Sequence, residues 1–345
     1  MQKFTPLFAL SVLLLCSSFG GAQSATSDTN TLLIDLYRNY FIVVRGSIGT
    51  LQNRRFIIDT GAYPTVISPR IAKKLRLSGS KEQVRVVGHN INGDVMYVPL
   101  LQLGPLRSEH LRVVVKDLSL FDRDMGVQID AMVGLDVLRQ SNFRIDYRER
   151  KLFFGPTGSL PFTVPIRWDT NKACIDVDVN GKPTRLLLDS GAADIMLFEQ
   201  KLSELSKEPS MGWTSANLGG RFAIRQIRLK SLGTAGSDLG AHEVFLSDTD
   251  NMTTFAFSGL MAIGAERFRQ VEFDFDHQTF SWEPIKWKGR DRPVARAAAT
   301  STSAPAVPGQ DGEAQPRPSE ACANDLSGDD SSGCSSPSTL VRQER

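Results

Sequence analysis

Along this chain apolar positions alternate with polar ones over short stretches, and helical spacing is rare, so strands dominate the reading. Phe143-Arg144-Ile145-Asp146-Tyr147 and Val271-Glu272-Phe273-Asp274-Phe275 alternate cleanly. Each passes through a polar turn into a further apolar run, Leu152-Phe153-Phe154 and Thr279-Phe280-Ser281-Trp282. Asn180-Gly181 and Asn92-Gly93 are two-residue hairpin signals. The second predicts a turn between strands at 83–87 and 95–101. Helices are few and short. Ser68-Pro69 opens one through about Leu75, with Ser as N-cap and Pro in the first turn. Residues 199–205 are its counterpart, and Gly134 and Gly264 each lead into a further short helix.

Two stretches resemble each other. Phe56-Ile57-Ile58-Asp59-Thr60-Gly61-Ala62 returns as Leu186-Leu187-Leu188-Asp189-Ser190-Gly191-Ala192. The interval from Asp59 to Gly134 equals the interval from Asp189 to Gly264. Around these glycines, Met132-Val133-Gly134-Leu135-Asp136 and Ala262-Ile263-Gly264-Ala265-Glu266 share one pattern, and each continues to an Arg-Gln pair, Arg139-Gln140 and Arg269-Gln270. Equal spacing over such a distance predicts an internal duplication. Gly155-Pro156-Thr157-Gly158-Ser159 punctuates the join. The expected lobes are 25–158 and 159–289.

Two lobes that each deliver a carboxylate suggest one chemistry. An ionised carboxylate can take a proton from water while its protonated partner donates to a carbonyl oxygen. Two carboxyls in contact do not both ionise easily, so the pair shares a proton. Gly61 and Gly191 let the backbone turn tightly and bring N–H groups to Asp59 and Asp189. Thr60 and Ser190 each offer a hydroxyl that can reach the other half. Other chemistries lack their residues. There is no G-x-S-x-G, His242-Glu243 lacks the second histidine of a zinc-protease motif, and histidines 89, 110, 242 and 277 form no ligand cluster. No metal or cofactor is expected.

These motifs resemble those of the pepsin/retropepsin superfamily of aspartic proteases, and within it the bacterial retropepsin-like proteins with two repeats in one chain. The resemblance covers about 40–285. It implies an all-β, bilobal fold of two duplicated six- to eight-strand lobes about a pseudo-twofold axis, with catalytic Asp59 and Asp189. It also implies that Thr60 and Ser190 brace the lobes by reciprocal bonds. Both motifs end in Ala, Ala62 and Ala192, where pepsins carry a hydroxyl residue that bonds a catalytic carboxylate. Fewer bonds to the ionised form raise a carboxyl pKa, so a less acidic optimum than pepsin's is expected. The pepsin flap tyrosine has no equivalent here. Paired flaps are expected instead around Gly88, His89 and Asn90, and around Leu218, Gly219 and Gly220; the plainer reading is two exposed hairpins. The short stretch between the signal-like segment and the first lobe leaves no room for a pepsin-type prosegment. The expected activity is an endopeptidase acting on extended peptides or proteins, as a monomer. A peptide-binding module that has kept the fold and lost the chemistry is the alternative.

Composition sets the surroundings. Of 345 residues 41% are apolar and 23% charged, and the net charge of +2 leaves no electrostatic footprint for nucleic acid. Lys3, an apolar stretch over 7–16 and small residues at 20–25 form a secretory signal peptide, residues 1–24. The rival is an uncleaved anchor, although the apolar stretch is shorter than the ~20 residues a spanning helix needs. Lipidation at Cys16 is disfavoured by bulky Leu15. Export is expected, to the periplasm or else to the medium. Residues 290–345, rich in Ala, Ser, Thr, Pro, Gly and Asp, read as a disordered tail or a spacer. Cys174 falls in a strand as a buried thiol, and Cys322 and Cys334 could pair in an oxidising compartment.

Overall fold

A computed structural model describes residues 30–86, 89–158, 160–218, 220–239, 243–248 and 255–285. The chain divides into units 1–300 and 301–345, and all described residues lie in the first. The expected signal peptide and tail, and Cys322 and Cys334, lie outside the described residues.

The fold is mostly β and of the acid-protease kind. Each apolar run before an Asp is a central strand. Leu51–Ile58 runs parallel to Ala131–Val133, with Phe56 opposite Ala131 and Ile58 opposite Val133. Ala131–Val133 pairs antiparallel with Val66–Ile67, which lies parallel to Leu106–Val115. In the second half Lys182–Asp189 runs parallel to Gly259–Ala262, with Leu188 opposite Met261. Gly259–Ala262 pairs antiparallel with Met196–Phe198, which lies parallel to Glu243–Ser247. The same four-strand pairing therefore occurs in both halves. Strands covered on both faces need continuous rather than alternating apolar residues. Accordingly Phe56, Ile57, Ile58, Leu186, Leu187 and Leu188 are all buried.

The alternating segments that close each half do not stay in it. They enter a six-stranded sheet in the order Thr31–Leu33, Lys151–Phe154, Phe143–Asp146, Phe268–Asp274, Thr279–Pro284, Phe162–Pro165. Phe143 pairs with Phe273 and Ile145 with Val271, so strands from the two halves lie side by side. Among the described residues, the remaining strands form an eight-stranded sheet in the first half and a ten-stranded one in the second. The expectation of six to eight strands per lobe is corrected by this third, shared sheet. One face of it is aromatic. The Phe143 and Phe273 rings stack at 4.7 Å, and Phe154, Phe268, Phe280 and Trp282 are buried beside them. Toward the other face, Arg144 pairs with Glu272 at 2.8 Å, compensating a carboxylate that is only 2% exposed.

Local signals fared unevenly. Asn180, at φ +53°, and Gly181, at φ +85°, make the expected two-residue hairpin between Val179 and Lys182. Asn92-Gly93 does not turn. Both residues lie within the strand His89–Leu103, opposite Gln83 and Glu82. The pairing of Val86 with His89 moves the connection to residues 87–88. Gly93 answers a packing need instead, because a Cβ there would lie 3.0 Å from Val114 Cγ1. Helix α1, Pro69–Lys74, follows Ser68 as expected, but the Ser68 hydroxyl makes no capping bond. Residues 199–205 form 3₁₀ turns rather than an α-helix. Helix α2, Ser119–Met125, was not foreseen; it ends at Gly126 in the left-handed conformation. Helix α3, Leu135–Leu138, follows Gly134 as expected. Gly264 begins a single turn instead, since Phe268 already starts a strand of the shared sheet. No helix among the described residues is long and apolar enough to cross a membrane.

If the shared sheet is the keel of the molecule, Phe143→Ala costs roughly 3–5 kcal/mol in urea unfolding, the range for emptying a buried phenyl site. A loss below about 1 kcal/mol, as for a surface position, contradicts this.

Candidate active site

Each motif Asp sits where a buried central strand ends, and the neighbouring strand fixes the backbone there. Asp59 N–H donates to the Val133 carbonyl at 3.0 Å, and Ile263 N–H donates to the Asp189 carbonyl at 3.2 Å. The two loops then lock onto each other. Thr60 Oγ1 donates to the Leu188 carbonyl at 2.9 Å and accepts from Ser190 N–H at 3.0 Å. Ser190 Oγ donates to the Ile58 carbonyl at 2.9 Å and accepts from Thr60 N–H at 3.0 Å. Thr60 and Ser190 are fully buried, so each hydroxyl stands in for water at two backbone groups of the other half.

This lock brings the carboxylates together. A Cβ on Gly61 would lie 2.5 Å from the Asp189 carboxyl carbon, and one on Gly191 would lie 2.7 Å from that of Asp59. Each glycine is therefore the floor on which the opposite carboxylate rests, and no larger residue fits. Gly61 N–H and Ala62 N–H donate to Asp59 Oδ1 at 2.8 and 3.0 Å, and Gly191 N–H donates to Asp189 Oδ1 at 2.8 Å. Asp59 is buried; Asp189 is partly exposed. Burial raises both carboxyl pKa values, and the charge of Asp189 adds to the effect on Asp59, which is pushed up to about 8. Lys172 and the backbone donors oppose the rise on both.

Behind the first loop, α3 is tied in tightly. Leu135 N–H donates to the Ala62 carbonyl at 3.1 Å, and a Cβ on Gly134 would lie 2.5 Å from that oxygen. Gly134 N–H donates to Thr65 Oγ1 at 3.1 Å, and Asp136 accepts from both Thr65 N–H and Thr65 Oγ1. The Gly264 turn, the counterpart of Gly134, is placed differently. Ala265 N–H donates to the Asn39 carbonyl at 3.0 Å, so Gly264 abuts Tyr40 of the first half.

Lys172 was missed in the sequence. Its ammonium donates to the Gly61 carbonyl, from the second half onto the first motif. Nothing near Lys172 marks it, because the contact joins positions far apart in the chain.

The expected flaps are both hairpins. Gly88 and Gly219 lie outside the described residues. His89 and Asn90 lie on the return strand of the first hairpin, where Asn90 pairs with Arg85. Asn217 pairs with Gly220 in the second, which puts Leu218 at its turn. Val84 of the first hairpin and Leu218 of the second pack on one apolar cluster, around Phe41, Val43, Ile57 and Val66, that also receives Ala62. Both hairpins thus reach the neighbourhood of the first motif. A recess of about 350 Å³ lined by Trp213, Ile224, Arg225 and Asp248 shares no lining residue with either motif. Among the described residues no group of three or more His, Cys, Asp or Glu is placed to hold a metal ion.

The lock between the loops makes a definite stability prediction. Thr60→Val removes two buried hydrogen bonds and leaves the Ser190 N–H without its hydroxyl acceptor, a loss of about 1–3 kcal/mol, whereas Thr60→Ser keeps the hydroxyl and most of the stability. Urea denaturation of the two variants checks this; a valine variant as stable as wild type contradicts it.

No curated protein sequence matches the chain. A family model described as aspartyl protease matches residues 44–137. That span holds the first motif, both flanking strands, the first hairpin and the Met132-Val133-Gly134 element that backs Asp59. The match marks this stretch of the first half as similar to aspartyl proteases, and the mostly β fold is consistent with a pepsin- and retropepsin-like architecture.

Proposed function

We propose that this protein is an aspartic endopeptidase in which Asp59 and Asp189 together activate water for attack on a peptide bond. The observation that carries this is the close opposition of the carboxylates, each resting against the other motif's glycine. Burial and mutual repulsion keep one proton on the pair. We assign it to Asp59, the member raised by its partner's charge. Ionised Asp189 takes a proton from a water held between the two groups. The hydroxide so formed adds to the carbonyl carbon, while Asp59 delivers its proton to the carbonyl oxygen. The resulting gem-diol returns one hydroxyl proton to Asp59. Asp189 passes its proton to the amide nitrogen, and the C–N bond breaks. Both residues end as they began, with no covalent intermediate. Thr60, Ser190, Gly61 and Gly191 hold the pair in register, and the hairpins at Gly88, His89 and Asn90 and at Leu218, Gly219 and Gly220 cover an extended substrate.

The matching strand pairings of the two halves favour an internal duplication. Both carboxylates come from one chain, so a monomer suffices. The apolar stretch after Lys3 favours export, and we propose the periplasm as the working compartment.

Asp59→Asn and Asp189→Asn each abolish cleavage of a fluorogenic peptide library, by at least about 10³-fold. In wild type the acid limb of kcat/KM marks ionisation of the first carboxyl and the alkaline limb marks loss of the shared proton. Since burial raises both values, activity extends from weak acid toward neutrality and fails near the upper value of about 8. An optimum near about pH 2–3, as a dyad with unraised pKa values gives, or full activity in either Asn variant contradicts the proposal.

A further inference from the structure

We propose that Lys172 is a positioning residue for the pair, whose ammonium, tied to the Gly61 carbonyl across the two halves, holds Asp59 and Asp189 in the singly ionised form. This rests on the dyad reading above and deepens it.

The first argument is register. In the first half Val43 pairs with Ile57, and in the second Cys174 pairs with Leu187, the residue in the corresponding place before its Asp. Two positions upstream stand Phe41 and Lys172. Phe41 is 5% exposed and packs with Val43 and Ile57. A lysine in the slot that the other half fills with a phenyl ring breaks the symmetry of the pairing with one positive charge. Lys172 is partly buried, so part of its ammonium's hydration is lost and anionic partners there compensate it.

The second argument is what the ammonium touches. Lys172 opens the strand Lys172–Val179, opposite Asp169 across a two-residue connection. From there its Nζ reaches the Gly61 carbonyl. The same glycine donates its N–H to Asp59 and forms the floor under Asp189. One ammonium thus holds the peptide on which both carboxylates lean.

The third argument is charge balance. The groups acting on Lys172 are Asp59, Asp189, Asp136 and the Cys174 thiol. Burial pushes that thiol up to about 12, so it is neutral. Asp136 acts most weakly of these groups on Lys172, and both its oxygens are engaged by Thr65. Asp169 is turned to the Ala256 N–H. What remains is one cation beside two carboxylates, which is neutral when the pair carries a single negative charge. Burial lowers the lysine pKa, and the two carboxylates oppose that shift. Without the cation, the singly charged pair is uncompensated and keeps both protons to higher pH.

Three variants separate charge from tether. Lys172→Gln retains a donor for Gly61 but no charge, Lys172→Met removes both, and Lys172→Arg keeps the charge. Two readouts are followed in each: the pH profile of kcat/KM on a peptide, and titration of ¹³C-labelled aspartate carboxyls by NMR. The Gln and Met variants should move the acid limb and the lower carboxyl titration upward by about 1 pH unit, the smaller end of what a nearby opposite charge does. The Arg variant should stay near wild type. Unmoved limbs and titrations in the Gln and Met variants, with only stability or kcat reduced, overturn the inference and leave Lys172 a structural tie. If Lys172→Met does not fold, Lys172→Gln decides. If wild type cleaves no peptide, the dyad reading fails, and the carboxyl titration still decides the lysine on its own.

Discussion

Two carboxyl groups held together in a largely buried site repel when both are charged, and each loses hydration even when alone. Holding Asp59 against Asp189 therefore needs a structure stiffer than either loop. The reciprocal bonds of Thr60 and Ser190 supply it, because each hydroxyl closes on a strand carbonyl and a loop N–H of the other half. The loops cannot separate without breaking four buried hydrogen bonds to backbone groups. The two glycines then become obligatory, since the space a side chain would need is taken by the opposing carboxylate.

Farther out, the same problem is solved at larger scale. The loops stay in register only if the halves do, and the shared sheet fixes the halves through the pairing of Phe143–Asp146 with Phe268–Asp274. Its aromatic face is buried, so relative movement of the halves would expose large apolar surface. The cross-contacts near the site are unequal. The first loop leans on α3 of its own half and on Lys172 of the other, while the Gly264 turn behind the second leans on Asn39 and Tyr40. A pseudo-symmetric frame thus surrounds an electrostatically asymmetric pair, which suits a reaction that asks one carboxyl to be an acid and the other a base.

Much of this was legible in the sequence where the cause is local. The unbroken runs before Asp59 and Asp189 follow from burial on both strand faces. Gly61 and Gly191 follow from close approach, and Asn180-Gly181 from its turn. Non-local causes were not legible. Asn92-Gly93 has the composition of a turn, yet Gly93 is small because Val114 presses on it across the sheet. Gly264 matches Gly134 in spacing, but a strand of the shared sheet starts too soon after it for a helix. That sheet is assembled from segments in opposite halves of the chain, whose alternation says they are strands but not whose neighbours they are. Lys172 looks like an ordinary surface lysine at the start of a strand; only the fold brings it to Gly61.

The most direct test is a crystal structure with a peptide isostere carrying a hydroxyl in place of the scissile carbonyl. That hydroxyl should lie within about 2.6–3.2 Å of carboxyl oxygens of both Asp59 and Asp189, with the peptide extended beneath the two hairpins. An isostere bound elsewhere, or one whose hydroxyl contacts neither carboxylate, would contradict the central claim that these two residues act as one catalytic unit.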